Sequence, residues 1–185
     1  MSNTKDHAFV EIVFSAKVKQ YFKKLVNKLV QKESLYDSPV AGHIRGDMTG
    51  TLHCTLFFGL QPEALRDTKL LSLIQNSGID KIKLGGFFFF EGYENLYRVL
   101  CLEVKDEDHR LLELSKKIEG FVKGKEAKEK EFKPHLTLAY VDKDYTLPSG
   151  IEENKKELRI EGIKISLLSE FMESLKDPSD MRLAA

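Results

Sequence analysis

The stretch Thr51-Leu52-His53-Cys54-Thr55-Leu56-Phe57-Phe58 recurs in outline as Phe132-Lys133-Pro134-His135-Leu136-Thr137-Leu138-Ala139-Tyr140. Each is an apolar run interrupted by a His-x-Thr tripeptide, and the histidines lie 82 positions apart (135 minus 53), close to half of the 185-residue chain. Side chains alternate along a strand, so each histidine shares a face with the threonine two residues on. Strict alternation places Thr51, His53, Thr55 and Phe57 on one side of the first strand, and Lys133, His135, Thr137 and Ala139 on one side of the second. The opposite faces, Leu52, Cys54, Leu56 and Phe58, and Pro134, Leu136, Leu138 and Tyr140, are expected to build the core. A polar group buried without a partner costs about 1–3 kcal/mol, so the His and Thr side chains need partners or solvent. A cleft shared by both strands would serve them together.

Working outward, His7 to Phe14 is expected as a strand and Ser15 as the N-cap of a helix. Val18, Tyr21, Phe22, Leu25, Val26, Leu29 and Val30 recur there at helical spacing. Lys32 to Gly50, with Pro39, Gly42 and Gly46, is a long loop, a place where binding residues concentrate. A helix from Pro62 to about Gln75 follows the first motif, then strands at Ile79 to Phe90 and Asn95 to Val104 joined by a tight turn. Asp106 to Val122 is amphipathic, Lys123 to Glu131 a charged loop and Leu158 to Phe171 a last strand. The tail from Met172 to Ala185 has too little apolar content to assign and is expected to be flexible. Strand, helix, loop and motif strand thus occur twice, which predicts one domain over 1–185 made of two pseudo-repeated lobes.

Lysine plus arginine and aspartate plus glutamate balance at 29 each, so no long-range field draws the protein to duplex nucleic acid or an anionic membrane. No run approaches a membrane span, and Met1 to His7 is polar without a signal-peptide core, so a cytoplasmic location is expected. The two cysteines, Cys54 and Cys101, sit in apolar runs and read as core thiols. Cys54 cannot act with His53, because neighbours on a strand point to opposite faces.

Two imidazoles flanking a phosphodiester can divide its cleavage, one accepting the nucleophile's proton and the other protonating the leaving oxygen. Threonine hydroxyls can donate to the non-bridging oxygens, where charge develops. Other readings of the same residues are two structural histidines with satisfied partners, and a non-catalytic module that holds a phosphorylated ligand. A metal site would need further ligands, and no His-x-x-x-His, Cys-x-x-Cys or Glu-rich cluster lies near either motif. His7, His43 and His109 read as surface residues.

The paired tripeptides, each followed by a hydrophobic residue and each on a strand of a repeated half, resemble those of the 2H phosphoesterase superfamily, over most of the chain. The resemblance implies an α+β fold of two pseudo-symmetric lobes, each an antiparallel sheet with outer helices, around a central cleft. It implies catalysis without metal or cofactor, with His53 and His135 as acid and base and Thr55 and Thr137 as phosphate ligands. The substrates it implies are small nucleotides, oligonucleotides or RNA ends: 2′,3′-cyclic phosphates, 2′,5′-linked oligoadenylates or cyclic oligonucleotides. A monomer is expected.

Around the motifs, Lys133 shares the face of His135 and could hold a phosphate, and Arg45 precedes the first motif in the glycine-containing loop. Phe57, by its parity beside His53 and Thr55, is the first aromatic expected to stack on a base. Phe87 to Phe90 would serve the same end only in part, since consecutive phenylalanines in a strand pack on both faces.

Overall fold

The computed structural model describes residues 7–36, 46–121, 132–149, 151 and 156–174. Strand β1 (Ala8–Val13) leads into helix α1 (Ala16–Leu29), and motif strand β2 (His53–Leu60) into helix α2 (Thr68–Gln75). The hairpin β3 (Lys81–Glu91) and β4 (Tyr97–Lys105) is followed by helix α3 (Arg110–Glu119) and motif strand β5 (His135–Asp142). Strands β6 (Glu157–Arg159) and β7 (Gly162–Leu167) and helix α4 (Leu168–Ser174) complete the described chain. Two antiparallel sheets result, one ordered β2-β1-β7 and the other β5-β4-β3-β6, with the motif strands at corresponding ends.

The lobes are interlocked. Helix α1 lies against the turn Thr49–Thr51 and touches β5, while α3 packs on β2 and its Ser115 hydroxyl donates to the Leu56 carbonyl at 2.8 Å. Tyr145, just past β5, donates to the Leu29 carbonyl at the end of α1 at 2.6 Å. One continuous core joins Val10, Ile12 and Leu56 to Leu100, Leu102, Leu136 and Leu138, all buried. The apolar faces of α1 (Phe22, Val26, Leu29) and α3 (Leu111, Leu114, Ile118) close it.

The structure departs from the sequence reading in three places. The helix expected over Pro62–Gln75 breaks into a 3-10 turn, Pro62–Arg66, and α2, because the Asp67 carboxylate accepts from the amides of Lys69 and Leu70 and starts a new helix there. Ser15 precedes α1 without a side-chain cap, whereas Asp106, four residues before α3, accepts from the Leu111 and Leu112 amides. The single strand expected over Leu158–Phe171 is two strands in different sheets followed by α4. β6 extends the second sheet and β7 crosses back to pair with β1, so Met172, placed in the unassigned tail, lies in a helix. The rest of the tail, from 175, lies outside the described residues, as do residues 122–131, which include the whole of the charged loop.

Candidate active site

The two motifs are built alike. His53 Nδ1 lies 2.7 Å from the Thr51 carbonyl, and His135 Nδ1 lies 2.7 Å from the Lys133 carbonyl, in each case two residues back. A carbonyl can only accept, so Nδ1 carries the proton in both rings and Nε2 is the nitrogen left for another partner. Just past each tripeptide the ladder slips by one residue. Thr55 pairs with Glu11 and Phe57 with Val10, leaving Leu56 extra; Thr137 pairs with Cys101 and Ala139 with Leu100, leaving Leu138 extra. A bulge at the leucine of each His-x-Thr-Leu bends the strand and reverses the parity beyond it.

That reversal corrects the expected faces. Phe57 pairs with the buried Val10 and packs on the core, away from the side of His53 on which it was expected. Phe58, expected in the core, pairs with Phe9, is 55% exposed and makes ring contacts with His7 and Phe9. In the second motif Ala139 is fully buried, and the partly exposed Tyr140 lies against Tyr97.

The motif strands meet across the seam between the sheets. The Cys54 thiol is fully buried, with the backbone N–H of His135 beside it. Burial pushes the Cys54 thiol up to about 12, partly opposed by that N–H, and burial raises Cys101 to about 12 as well. Both thiols therefore stay protonated near neutral pH, as their reading as core residues requires.

The surroundings of the two rings differ. His53 packs edge-on against Phe171 of α4 (centroids 4.9 Å apart) and near Phe9 (6.0 Å), with the buried Glu11 carboxylate 3.8 Å from its Nδ1. His135 packs edge-on against Phe90 (4.9 Å) and Phe88 (6.1 Å), and the Lys133 ammonium lies over the Phe88 ring at 4.0 Å. Burial holds His135 below the usual histidine range; its bond to the Lys133 carbonyl opposes this, while positive charge on His53 and on Lys133 adds to it. The part of His53 in this lowering places the two rings within electrostatic reach of one another.

His53, Thr55, His135 and Thr137 are all half-buried, and Lys133 is exposed. The Thr137 hydroxyl has Cys101 Sγ 4.0 Å away. Arg45 and His43 lie outside the described residues. Among the described residues no group of three or more His, Cys, Asp and Glu side chains gathers as a metal-ligand set, and no helix is long and apolar enough to cross a membrane. A concavity of about 740 Å³ lined by Tyr36, Leu96, Asp142 and Tyr145 lies towards the far end of β5 and includes neither motif histidine.

Sequence reasoning missed Glu11, Phe171 and the selection of Phe88 and Phe90. Glu11 had a signal, as the one charge inside the apolar run Ala8–Phe14. Phe88 and Phe90 share a face by parity, but which face depends on the register with β4, where they pair with Cys101 and Val99. Phe171 comes to His53 through the return of β7, which the apolar pattern alone did not show.

No protein-family model matches the sequence, and no curated protein matches it. Solved structures do match the fold. TT0787 of Thermus thermophilus aligns with a TM-score of 0.58 at 22% identity over 86% of each chain. A structure described as a phosphoesterase aligns at 0.60 and 15% identity over 88% of each. E. coli LigT in complex with 3′-AMP aligns at 0.59 and 17% identity, over 88% of this chain and 87% of its own. The class of fold is thereby defined as the two-sheet α+β fold of these structures. It is the 2H phosphoesterase fold that the paired His-x-Thr tripeptides led us to expect.

Proposed function

We propose that this chain is a phosphodiesterase that cleaves a small nucleotide or a nucleic-acid end, using His53 and His135 as its proton-transfer pair. The observation that carries the reading is the matched construction of the two motifs. Each ring is held through Nδ1 by the carbonyl two residues back, each is followed by a bulge at leucine, and the rings are close enough to repel. Two structural histidines would have no reason to leave both Nε2 atoms without a partner among the described residues, on half-buried faces.

In the reaction one Nε2 takes the proton of the attacking hydroxyl or water and the other protonates the leaving oxygen, each worth roughly 10²- to 10⁴-fold. Thr55 and Thr137 donate to the non-bridging oxygens, and Lys133 adds a point charge beside His135. The half-exposed Phe88 and Phe90 flank His135, offering a base the apolar surface that Phe57 does not. A nucleotide substrate is also favoured by the likeness to LigT, whose structures hold ATP, NADP+ and 3′-AMP. For a 2′,5′ linkage the 3′-hydroxyl attacks and a cyclic phosphate forms; for a 2′,3′-cyclic phosphate, water attacks. No metal or cofactor takes part in either route.

The test incubates the protein in EDTA with 2′,3′-cyclic nucleotides, 2′,5′-oligoadenylate and cyclic oligonucleotides. Turnover in chelator that is lost in both His53→Ala and His135→Ala supports the reading; turnover that needs added divalent metal contradicts it. A non-catalytic nucleotide-binding module would bind members of the same panel and release no product.

A further inference from the structure

The motifs match, but the charges behind them do not. The Glu11 carboxylate is 4% exposed, in the middle of β1, a costly place for a charge unless it is paired. From β7, the Ser166 hydroxyl donates to its Oε1 at 2.6 Å and the Lys164 ammonium lies 3.4 Å from the same oxygen. Its Oε2 is turned to His53 Nδ1, 3.8 Å away. Among the described residues the ring's other partners are the Thr51 carbonyl, Phe9 and Phe171, so Glu11 is the anion found beside it there.

Among the described residues His135 has no such partner. In the second sheet the position matching Glu11, opposite the threonine, is Cys101, a protonated thiol. Glu103 pairs with His135 across β4, yet the charges that act on this ring are the cations His53 and Lys133. Phe88 and Phe90 cover its edge.

We infer that Glu11 is a positioning residue that commits His53 to donating the proton to the leaving oxygen and leaves His135 to accept the proton of the nucleophile. The inference rests on the phosphodiesterase reading above. In the step it describes, the attacking hydroxyl passes its proton to His135 Nε2 as the new P–O bond forms. The P–O bond to the leaving alcohol breaks, and His53 Nε2 delivers its proton to that oxygen. Glu11 compensates the positive ring before the transfer through Nδ1, the nitrogen that does not react. Burial and neighbouring cations keep His135 uncharged and able to accept, in the same sense as its lowered proton affinity.

The test uses adenosine 2′-(methyl phosphate) and adenosine 2′-(p-nitrophenyl phosphate), with their 3′ isomers. Methoxide must be protonated as it leaves, whereas p-nitrophenolate need not be, so loss of the acid is felt mainly with the methyl ester. His53→Ala should lose roughly 10²- to 10⁴-fold on the methyl ester and far less on the aryl ester, and Glu11→Gln about tenfold on the methyl ester alone. His135→Ala should lose alike on both. The readout is the ratio of the two rates within one preparation, so a variant that folds only in part still reports. Ser166→Ala, which keeps the carboxylate's charge, should keep the wild-type ratio. Equal losses on both esters in Glu11→Gln, or leaving-group selectivity appearing in His135→Ala, overturn the inference while the wild type still turns over. A wild type that cleaves none of these esters ends this inference, and one that also leaves the cyclic nucleotides, 2′,5′-oligoadenylate and cyclic oligonucleotides intact ends the phosphodiesterase reading with it.

Discussion

Cys54 offers a quantitative test of the seam that holds the two motifs together. Its side chain is completely buried, on the core side of β2, and the His135 amide lies beside its sulfur. The pairing of β5 explains why that amide needs it. Val104 donates to the Pro134 carbonyl, so the neighbouring Glu103 and His135 form a pair whose own backbone groups point away from β4. Cys54→Ala removes one buried heavy atom, about 1 kcal/mol, and leaves the amide unsatisfied, about 1–3 kcal/mol more. The expected loss is about 2–4 kcal/mol, or roughly 5–15 °C in Tm for a chain of this length. Cys54→Ser restores an acceptor and should recover part of the loss, while Cys54→Val restores volume alone and should remain weaker than Ser if the hydrogen bond dominates. Urea denaturation of the four proteins measures the series. An alanine variant within about 0.5 kcal/mol of wild type, the ordinary range for an inconsequential substitution, would refute the seam as drawn.

Four further outcomes follow from the same structure. Because His135 is held below the usual 6.5, the unfolded chain takes up a proton before the folded one does, so stability should fall with falling pH below about 6.5; in His135→Gln, which cannot titrate, that slope should shrink. If His135 is the base, the acidic limb of kcat/KM should lie below 6.5, and removing the Lys133 cation in Lys133→Met should move it upward. Phe90→Ala, which strips the ring nearest His135, should raise KM for a nucleotide by roughly 5- to 100-fold, from a stacking worth about 1–3 kcal/mol, and change kcat less. Asp106→Ala should cost about 1–2 kcal/mol by freeing two amides at the start of α3, read as a lowered melting temperature.

Within each tripeptide the shared face of His and Thr was legible, because alternation within three residues survives any later irregularity. Alternation carried past them failed at Leu56 and Leu138: a bulge adds a residue without changing composition, so Phe57 and Phe58 exchanged faces. The last segment carried a readable sign of its division. Apolar residues fall at even positions at Leu158 and Ile160 and at odd positions at Ile163, Ile165 and Leu167, and the parity changes where the chain leaves one sheet for the other. Asp67 and Asp106 were legible as cap-forming residues only in retrospect, since aspartate is equally at home in a turn. Glu11 was visible as an isolated charge, but its nearness to His53 depends on pairing β1 with β2, which no local pattern fixes.

The account stands on two imidazoles reaching one phosphate. A crystal structure with bound 3′-AMP measures this directly. It should show Nε2 of His53 and Nε2 of His135 each about 3 Å from an oxygen of a single phosphate, with the Thr55 and Thr137 hydroxyls on the remaining oxygens. A phosphate held by one histidine while the other ring points elsewhere, or held away from both, would contradict it.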